Sequence, residues 1–355
     1  MKWRLAMVGA AAAAAVLPLP AGFVERWYSN LVFPALQTLL TSASNLVPFA
    51  LFDLLILTTI VWFVWRLVAD IRARRARGNW RVAGRAALRL VTAAACFYLA
   101  FLAAWGLNYR RMPLEDRLAF NAVRVSPRAA REVALAAVDR ANALYDAAHA
   151  RDAAPLDTAA LAHALAEAER ELGNPHRARP ARPKHTLLDP YFKAAGVDGM
   201  TDPYFLETFI ASDLLPFEKP FVVGHEWAHL AGFADESEAN FVGWLACVHG
   251  DAAAQYSGWL FLYSEIAGRL SRASRIEVGA HVGEGPRRDL RAVADRISRH
   301  LSPPVANAGW RVYDSYLKAN RVEAGTASYS EVVRLVVGTT FDDNWAPQLR
   351  SAIRN

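Results

Sequence analysis

Three long apolar runs occupy the first part of the chain. They cover about residues 5–24, 48–65 and 90–107 and carry almost no charged side chains. A helix rises about 1.5 Å per residue, so an apolar run of roughly 20 residues can cross the hydrocarbon core of a bilayer. The pattern predicts three N-terminal transmembrane helices, which together make residues 1–109 a membrane anchor. The first run is also compatible with a cleavable signal peptide, because it is rich in alanine and ends in proline and glycine, but the two later runs favour an uncleaved anchor.

The segments that flank these runs set the expected orientation. The segment between the second and third runs is strongly basic and contains Arg66, Arg72, Arg74, Arg75, Arg77, Arg81, Arg85 and Arg89. Basic loops stay in the cytoplasm, so this loop and the amino terminus are expected inside the cell. Three crossings then make the protein a multi-pass protein of the cytoplasmic (inner) membrane, with residues 110–355 as an extracytoplasmic (periplasmic) domain.

Two shorter features mark the membrane boundary. Residues 25–47 form an amphipathic stretch in which Trp27 and Tyr28 are expected to anchor at the membrane interface. Asp53 is the only charge in the second run, and its place near the outer end identifies it as a boundary residue.

Beyond residue 110 the apolar positions follow the helical period of a mostly α-helical domain. Helices are predicted at 126–150, 157 or 158–173, 251–271, 286–301, 305–320 and 329–337. Residues 174–184 are rich in proline and arginine and are expected to form a loop with a solvated basic surface. Residues 205–211 predict a short strand or hairpin, of the kind that serves as a substrate-binding edge strand in many metallopeptidases. The predicted fold class is therefore mainly α.

Composition narrows the possibilities further. The 355 residues are 54% hydrophobic and carry a net charge of +6. Because the arginines lie beside the apolar runs, this charge indicates membrane topology and no nucleic-acid partner. The two cysteines, Cys96 and Cys247, form neither a metal-binding knuckle nor a disulfide framework.

The candidate chemistry lies in the H-E-x-x-H motif that begins at His225. Residues four apart share one face of a helix, so His225 and His229 can direct their ring nitrogens at one ion. Glu226 projects beside them and is placed to take a proton from water. Gly232 is expected to end this helix.

A catalytic zinc ion needs a third protein ligand, and three acids follow closely. Asp235 and Glu238 have the spacing of a capping box, which would engage both with the backbone and leave Glu236 to turn inward. Asp235 is the alternative ligand, because the spacing also fits the metzincin motif, and Glu238 is the third choice. Asn240 lies on the same helix face as Glu236, where it can orient a ligand.

These residues predict a membrane-anchored zinc metallopeptidase. The cofactor is Zn²⁺, held by His225, His229 and Glu236. Glu226 is the general base that activates water for the hydrolysis of a peptide or protein substrate. The remaining partner is the lipid bilayer. A donor to the oxyanion is also required, and the candidates are Tyr316, Tyr329 and His185.

Two other functions fit parts of the pattern. An inactive, zinc-stabilised scaffold of the cell envelope would have its metal closed by a fourth ligand, for which His249 is the candidate. A transporter or channel would use the spans themselves, but none has a central charge or a helix-breaking pair suited to a solute site.

Several segments together resemble a known family. They are Trp105-Gly106-Leu107-Asn108-Tyr109-Arg110-Arg111, the motif at His225, Glu236-Ser237-Glu238-Ala239-Asn240-Phe241, and Tyr313–Asn320 with Gly325 and Ser328-Tyr329. The chain is similar over nearly its whole length to an uncharacterised bacterial membrane family, a domain of unknown function with a Leu-Asn-Tyr motif and an HExxH motif.

The resemblance implies a gluzincin-like zinc metallopeptidase. In that family the acids at Glu236 and Glu238 recur while the position of Asp235 varies, which favours Glu236 as the ligand. The E-x-x-A-N sequence resembles the E-x-x-A-D of other membrane gluzincins, with Asn240 where an aspartate usually stands. The side chain beside the histidines is therefore expected to be the neutral amide of Asn240 instead of a carboxylate.

Overall fold

The computed structural model describes residues 2–77, 80–150, 155–322, 325 and 331–350, with the backbone alone for 74–77 and 80–82. The described chain is mainly helical and contains one small sheet, as the sequence predicts. Its first helices are α1 (Lys2–Val16), α2 (Ala21–Asn45, with a π-helical part at Val24–Val32), α3 (Leu51–Arg77) and α4 (Trp80–Ala104).

Two of these helices are long and apolar enough to cross a membrane. The qualifying stretches are Leu51–Ala73 in α3 and Ala83–Ala104 in α4, which correspond to the second and third predicted spans. The first predicted span is interrupted, because α1 ends at Val16 and α2 continues at an angle of 113°. Pro18 and Pro20 explain the break, since proline lacks a backbone donor and disfavours helix in the residue before it. A third crossing exists only if this bent pair forms one span.

Helix α2 packs against the rest of the protein. Val24, Tyr28 and Phe33 are buried in the main hydrophobic core. The Tyr28 hydroxyl donates to the carbonyl of Ala103 (3.0 Å), close to the end of the apolar stretch Ala83–Ala104. Tyr28 thus packs on protein, and its place at the membrane interface stays a prediction. Its neighbour Trp27 points outward and is 49% exposed. The amphipathic pattern of this stretch therefore reflects packing on protein on one face.

The remaining helices build the domain that follows. They are α5 (Leu114–Arg117), α6 (Pro127–His149), α7 (Thr158–Glu171), α8 (Asp189–Ala195), α9 (Lys219–Leu230), α10 (Glu236–Val248), α11 (Ala252–Ala267), α12 (Arg272–His281), α13 (Glu284–His300), α14 (Pro303–Ala319) and α15 (Val332–Gly338). Short 3-10 segments lie at Gly106–Arg110 and Ala122–Arg124. Ser126, Asp157 and Asp251, where predicted helices begin, each accept a backbone hydrogen bond at their helix. Helices α5, α8 and α12 were not predicted from the sequence.

The sheet has three short strands: β1 (Pro183–Lys184), β2 (Gly199–Thr201) and β3 (Thr208–Ile210). Their order is β1-β3-β2, with β3 parallel to β1 and antiparallel to β2. The predicted strand at 205–211 does form in a hairpin, but it is the central strand, so its prediction as an edge strand is wrong. The edge that lies beside the motif helix α9 is β2.

One basic residue of the predicted loop 174–184 is buried. Lys184 donates to the Glu207 carboxylate (2.6 Å) and to the carbonyl of Ser44 (2.7 Å), and both charged side chains are almost fully buried. The prediction of a wholly solvated surface is therefore wrong at Lys184. A buried ammonium needs such a partner, and this one joins the end of α2 to the sheet.

Helices α9 and α10 form the centre of the domain, and nearly all of their residues are buried. They cross at a pair of glycines. A Cβ atom at Gly243 would lie 2.8 Å from the backbone nitrogen of His225, and one at Gly224 would lie 3.3 Å from the carbonyl oxygen of Gly243. This close approach packs the middle of α10 tightly against the segment of α9 that contains His225.

Candidate metal centre

The three side chains named from the motif converge on one point. His225 and His229 lie one turn apart on α9, and Glu236 is the first residue of α10. The Glu236 Oε2 atom lies 3.3 Å from His225 Nε2 and 3.5 Å from His229 Nε2. One ligand atom from each residue lies within 4.8 Å of the others, and all three residues are buried.

The chain reversal after α9 orients one of the rings. Gly232 adopts a φ of +85°, in the left-handed region that favours glycine, and ends the helix as predicted. The turn brings the Phe233 carbonyl to 2.7 Å from His229 Nδ1, so this nitrogen carries the proton and donates. In the neutral ring, His229 Nε2 then has its lone pair directed at the cluster, which is the tautomer a metal ligand requires.

The cluster also contains an unsatisfied atom. Glu236 Oε2 is buried and has no hydrogen-bond partner among the described residues, although it lies between two imidazoles. A buried carboxylate oxygen without a partner is costly. A divalent cation between the three ligand atoms would satisfy it, so the residues present fit a metal ion.

The charges of the cluster are strongly coupled. Burial raises the pKa of Glu236, but His229 and His225 outweigh this effect and hold that pKa well below its usual range. Burial lowers the pKa of His229, but Glu236 outweighs it and raises that pKa to about 9. Protons and a metal ion therefore compete for the same atoms.

Glu226 lies beside the cluster and does not belong to it. Its Oε2 atom accepts a hydrogen bond from the Thr201 hydroxyl of strand β2 (2.8 Å). Burial raises the pKa of Glu226 above the usual range, against the opposing effect of the neighbouring imidazoles. The side chain is fixed between the motif helix and the sheet edge.

The alternative ligands are directed elsewhere. Asp235 caps α10 and accepts from the backbone nitrogen atoms of Ser237 (2.8 Å) and Glu238 (3.4 Å). Glu238 was expected to complete a capping box, but its carboxylate accepts from the Leu114 backbone, because the chain entering the domain passes over this face. The structure therefore places neither acid in the cluster.

Two other sequence candidates are placed away from the cluster. His249 pairs with Glu171 (2.8 Å), so it does not close a metal site as a fourth ligand. His185 lies by the Ile210 carbonyl (3.3 Å). Asn240 lines a cavity together with His225 and Glu226.

Of the two tyrosines predicted as candidate donors to the oxyanion, one lies within the described residues. Tyr316 lines the cavity that contains the cluster, whereas Tyr329 lies outside the described residues. Tyr313, whose hydroxyl donates to Glu236 Oε1, was not predicted as a site residue. Tyr313 and Tyr316 are three apart on α14 and stack with ring centroids 5.8 Å apart, and this helical spacing was the one available signal.

The segment with the Leu-Asn-Tyr sequence contacts the motif helix directly. The Trp105 indole donates to the His229 carbonyl (3.0 Å), and its ring lies 5.9 Å from the His229 ring. Arg111 donates to the Gly232 carbonyl (2.9 Å) and pairs with Glu25 (2.7 Å). Trp105 follows the last residue of α4, so the candidate metal centre is attached to the end of an apolar helix.

Two cavities meet at the centre. The larger has a volume of about 670 Å³ and lies between the end of α4, α8, β2 and α14. The smaller, of about 370 Å³, lies on the other side, next to α11 and α13. Their shared lining residues are Val197, Gly199, His225, Glu226 and Trp310. A ligand that extends from one cavity into the other would pass the histidines and Glu226.

Fold and site define a mainly helical, membrane-associated protein with a buried His-His-Glu cluster that can hold a metal ion. The family model described as "Protein of unknown function (DUF3810)" matches residues 28–337, most of the chain, and the chain belongs to this family. Among curated proteins no match is found, and the same is true among solved structures.

Proposed function

We propose that this protein is a membrane-anchored zinc metallopeptidase. One observation carries the proposal: two imidazoles and a carboxylate converge on one point while Glu226 stands beside them, in a cavity wide enough for a peptide. Three protein ligands with an open fourth position are the pattern of catalytic zinc. No further histidine, cysteine, aspartate or glutamate joins the group among the described residues, which favours this function over a closed, scaffold-type site.

The proposed mechanism assigns a role to each side chain. His225, His229 and Glu236 would hold zinc, which supplies a Lewis acid that activates water near pH 7. Glu226 accepts the proton of the attacking water and delivers it to the leaving nitrogen. The Thr201 hydroxyl keeps the Glu226 carboxylate in place. Tyr313 orients Glu236 through its hydrogen bond.

Strand β2 is the proposed site of substrate binding. It is the outer strand of the sheet, its three residues line the larger cavity, and it lies against Glu226. An extended peptide that pairs with this edge would present a carbonyl to the cluster. A gluzincin-like arrangement, with the third ligand on the helix after the motif, is part of the same proposal.

The side of the membrane on which the domain lies is also proposed, from the two ends of α3. Asp53, in the first turn of α3, accepts hydrogen bonds from Thr186 and from the backbone of Leu187 (2.9 Å). The domain therefore lies at the Asp53 end of α3 and the arginine-rich segment at the other. Because basic segments stay inside, we propose that residues 110–355 face the extracytoplasmic side and that the bilayer and a peptide or protein are the partners.

The test uses the purified full-length chain. We expect wild-type protein to contain zinc and to hydrolyse peptides, His225→Ala to lose both properties, and Glu226→Gln to keep zinc and lose hydrolysis. Zinc is measured by atomic absorption and hydrolysis with a mixture of quenched fluorescent peptides. Hydrolysis that survives in Glu226→Gln would refute the mechanism. Bound zinc without any peptide hydrolysis by the wild type would favour the scaffold function.

A further inference from the structure

The larger cavity, named here the membrane cleft, is lined partly by the apolar span itself. Tyr98 and Phe101 belong to the stretch Ala83–Ala104 that qualifies as a membrane crossing, and both side chains line the cleft. Trp105, one turn further, lines it as well and contacts the His229 ring. The cleft thus extends without interruption from the membrane-crossing helix to the candidate metal centre.

Outside the centre, the lining of the membrane cleft is uncharged and mostly aromatic or apolar, with Asn320 and the tyrosine hydroxyls as polar groups. No lysine, arginine or aspartate lines it in the described part of the chain, and its histidines and glutamates are those of the centre. Its outer lining includes Tyr191, Trp310 and Val312, which are 43%, 39% and 71% exposed. Exposed apolar side chains at the mouth of a cleft indicate a surface that meets apolar material.

The smaller cavity, named here the polar cleft, has a different lining. Its lining adds charged and hydroxyl groups to apolar side chains such as Phe261. Asp198, Glu218 and Glu265 contribute carboxylates, and Ser257 and Ser264 contribute hydroxyls. The two clefts meet at His225 and Glu226. An occupant of both clefts would therefore meet charged groups outside the centre only on the side away from the apolar span, where a polar part of the ligand is better accommodated.

The size of the membrane cleft limits which apolar group of a ligand it can hold. One turn of α-helix with its side chains occupies roughly 500 Å³, so a helical segment several turns long exceeds this cleft. The cleft measures about 670 Å³ and must also admit the backbone of the peptide beside β2. A single hydrocarbon chain next to an extended peptide fits these limits, whereas a transmembrane helix does not.

We propose that the substrate is a lipid-anchored peptide, whose acyl chain lies in the membrane cleft while its polar peptide continues into the polar cleft. This inference rests on the proposed peptidase function and specifies its substrate class. The bond that is cut then lies at the membrane surface, within reach of a chain that remains anchored in the bilayer. Attachment of the centre to the end of α4 through Trp105 keeps the site at this depth.

Binding is tested apart from catalysis. The full-length Glu226→Gln chain in lipid nanodiscs is exposed to a decapeptide with a photoactivatable palmitoyl chain, and adducts are mapped by mass spectrometry. Separate arms use the peptide without the chain and the peptide fused to an apolar helix of about 20 residues. We expect adducts of the palmitoyl probe at Tyr98, Phe101 and α14. Cleft adducts from the helical probe, or palmitoyl adducts confined to the lipid-facing side of α3, would overturn the proposal.

A matched pair of variants tests the cleft itself. Ala319 and Ala308 are both exposed alanines of α14, but only Ala319 lines the membrane cleft. Ala319→Trp should lower the yield of cleft adducts by about tenfold or more, since small excesses of volume in an apolar pocket already have effects of this size. Ala308→Trp should leave the yield unchanged. Equal yields in the two variants would overturn the proposal.

A measurement of hydrolysis distinguishes the proposed lipid-anchored substrate from the proposed peptidase function. Wild-type protein is given the palmitoylated and the unmodified decapeptide, and the kcat/KM values are compared. Equal kcat/KM values for both peptides would leave the peptidase function standing and overturn the lipid-anchored substrate. Cleft adducts without hydrolysis of either peptide would support the acyl site and overturn the peptidase function.

Discussion

Gly199 lies against the side chain that the proposed mechanism uses as its base. A Cβ atom at this position would lie 2.6 Å from Glu226 Oε1 and 3.0 Å from Glu226 Cγ and Val222 Cγ1. Ordinary van der Waals contacts begin near 3.4 Å, so Gly199→Ala must displace the carboxylate by about 0.8 Å. The end of a glutamate side chain moves more readily than backbone, so the fold should survive while Glu226 leaves its position beside Thr201.

The expected loss follows from this displacement. A misplacement of ~1 Å at a reacting group costs about 10²-fold, so kcat of Gly199→Ala should fall by about that factor. The zinc content should stay at the wild-type level, because the closest atoms to the new methyl group belong to Glu226 and Val222 and to no ligand of the cluster. The assay measures peptide hydrolysis and zinc on the same preparation.

A matched glycine gives the control. Gly279 lies within helix α12, and a Cβ there would meet nothing closer than the Tyr263 hydroxyl at 4.0 Å. Gly279→Ala should therefore leave both kcat and zinc unchanged. An unchanged kcat in Gly199→Ala would refute the role given to the Glu226 position, and a loss of zinc together with activity would show that the substitution acts on the fold.

Three further predictions concern other parts of the molecule. Tyr313→Phe removes the hydroxyl that donates to Glu236 and should weaken zinc affinity by about tenfold in a chelator competition; Tyr191→Phe, at an exposed position of the same cleft, is the control, and equal affinities in the two variants would contradict the role of Tyr313. Arg296 is buried between Asp198 (2.9 Å) and Glu218 (2.7 Å), which precede β2 and α9. Arg296→Met leaves these carboxylates without their cation and should cost about 3 kcal/mol of unfolding free energy, seen as a lower thermal midpoint than that of the exposed variant Arg291→Met; identical midpoints would argue against this role. Burial raises the pKa of Glu169 to about 7, from 4.5 for an exposed glutamate. The folded state therefore binds this proton more tightly, and the resulting stability, up to about 3 kcal/mol, is complete below pH 4.5 and is lost as the pH rises through 7. The thermal midpoint of the wild type should fall relative to that of Glu169→Gln between pH 5 and 8, and parallel pH profiles would contradict this.

The contacts of Trp105 and Arg111 join the end of the apolar helix α4 to a motif that lies far along the chain. The indole of Trp105 and the guanidinium of Arg111 both donate to carbonyls at the end of α9, at His229 and Gly232. Unsatisfied carbonyls at a helix end need such donors. The segment from Trp105 to Arg111 thus completes the motif helix and holds it next to the end of the apolar helix α4.

The sequence predicted local features well. The position of α9, its end at Gly232 and the cap at Asp235 all depend on residues within a few positions of one another. The edge strand was predicted wrongly, because strands of two or three residues carry almost no periodicity and their order depends on pairing partners far along the chain. The first predicted span is not one continuous helix, because the prolines after Val16 break it.

By itself, the sequence determined which residues form the motif, how they are spaced on a helix and which apolar helices can cross a membrane, because helical periodicity and capping act over short distances along the chain. Only the tertiary structure decided that Tyr313 contacts Glu236, that Trp105 contacts His229 and that β2 forms the sheet edge beside Glu226. Tyr313 and Trp105 lie 77 and 124 residues from these partners. Contacts of that range arise from the packing of whole elements around a common core, which no local pattern encodes.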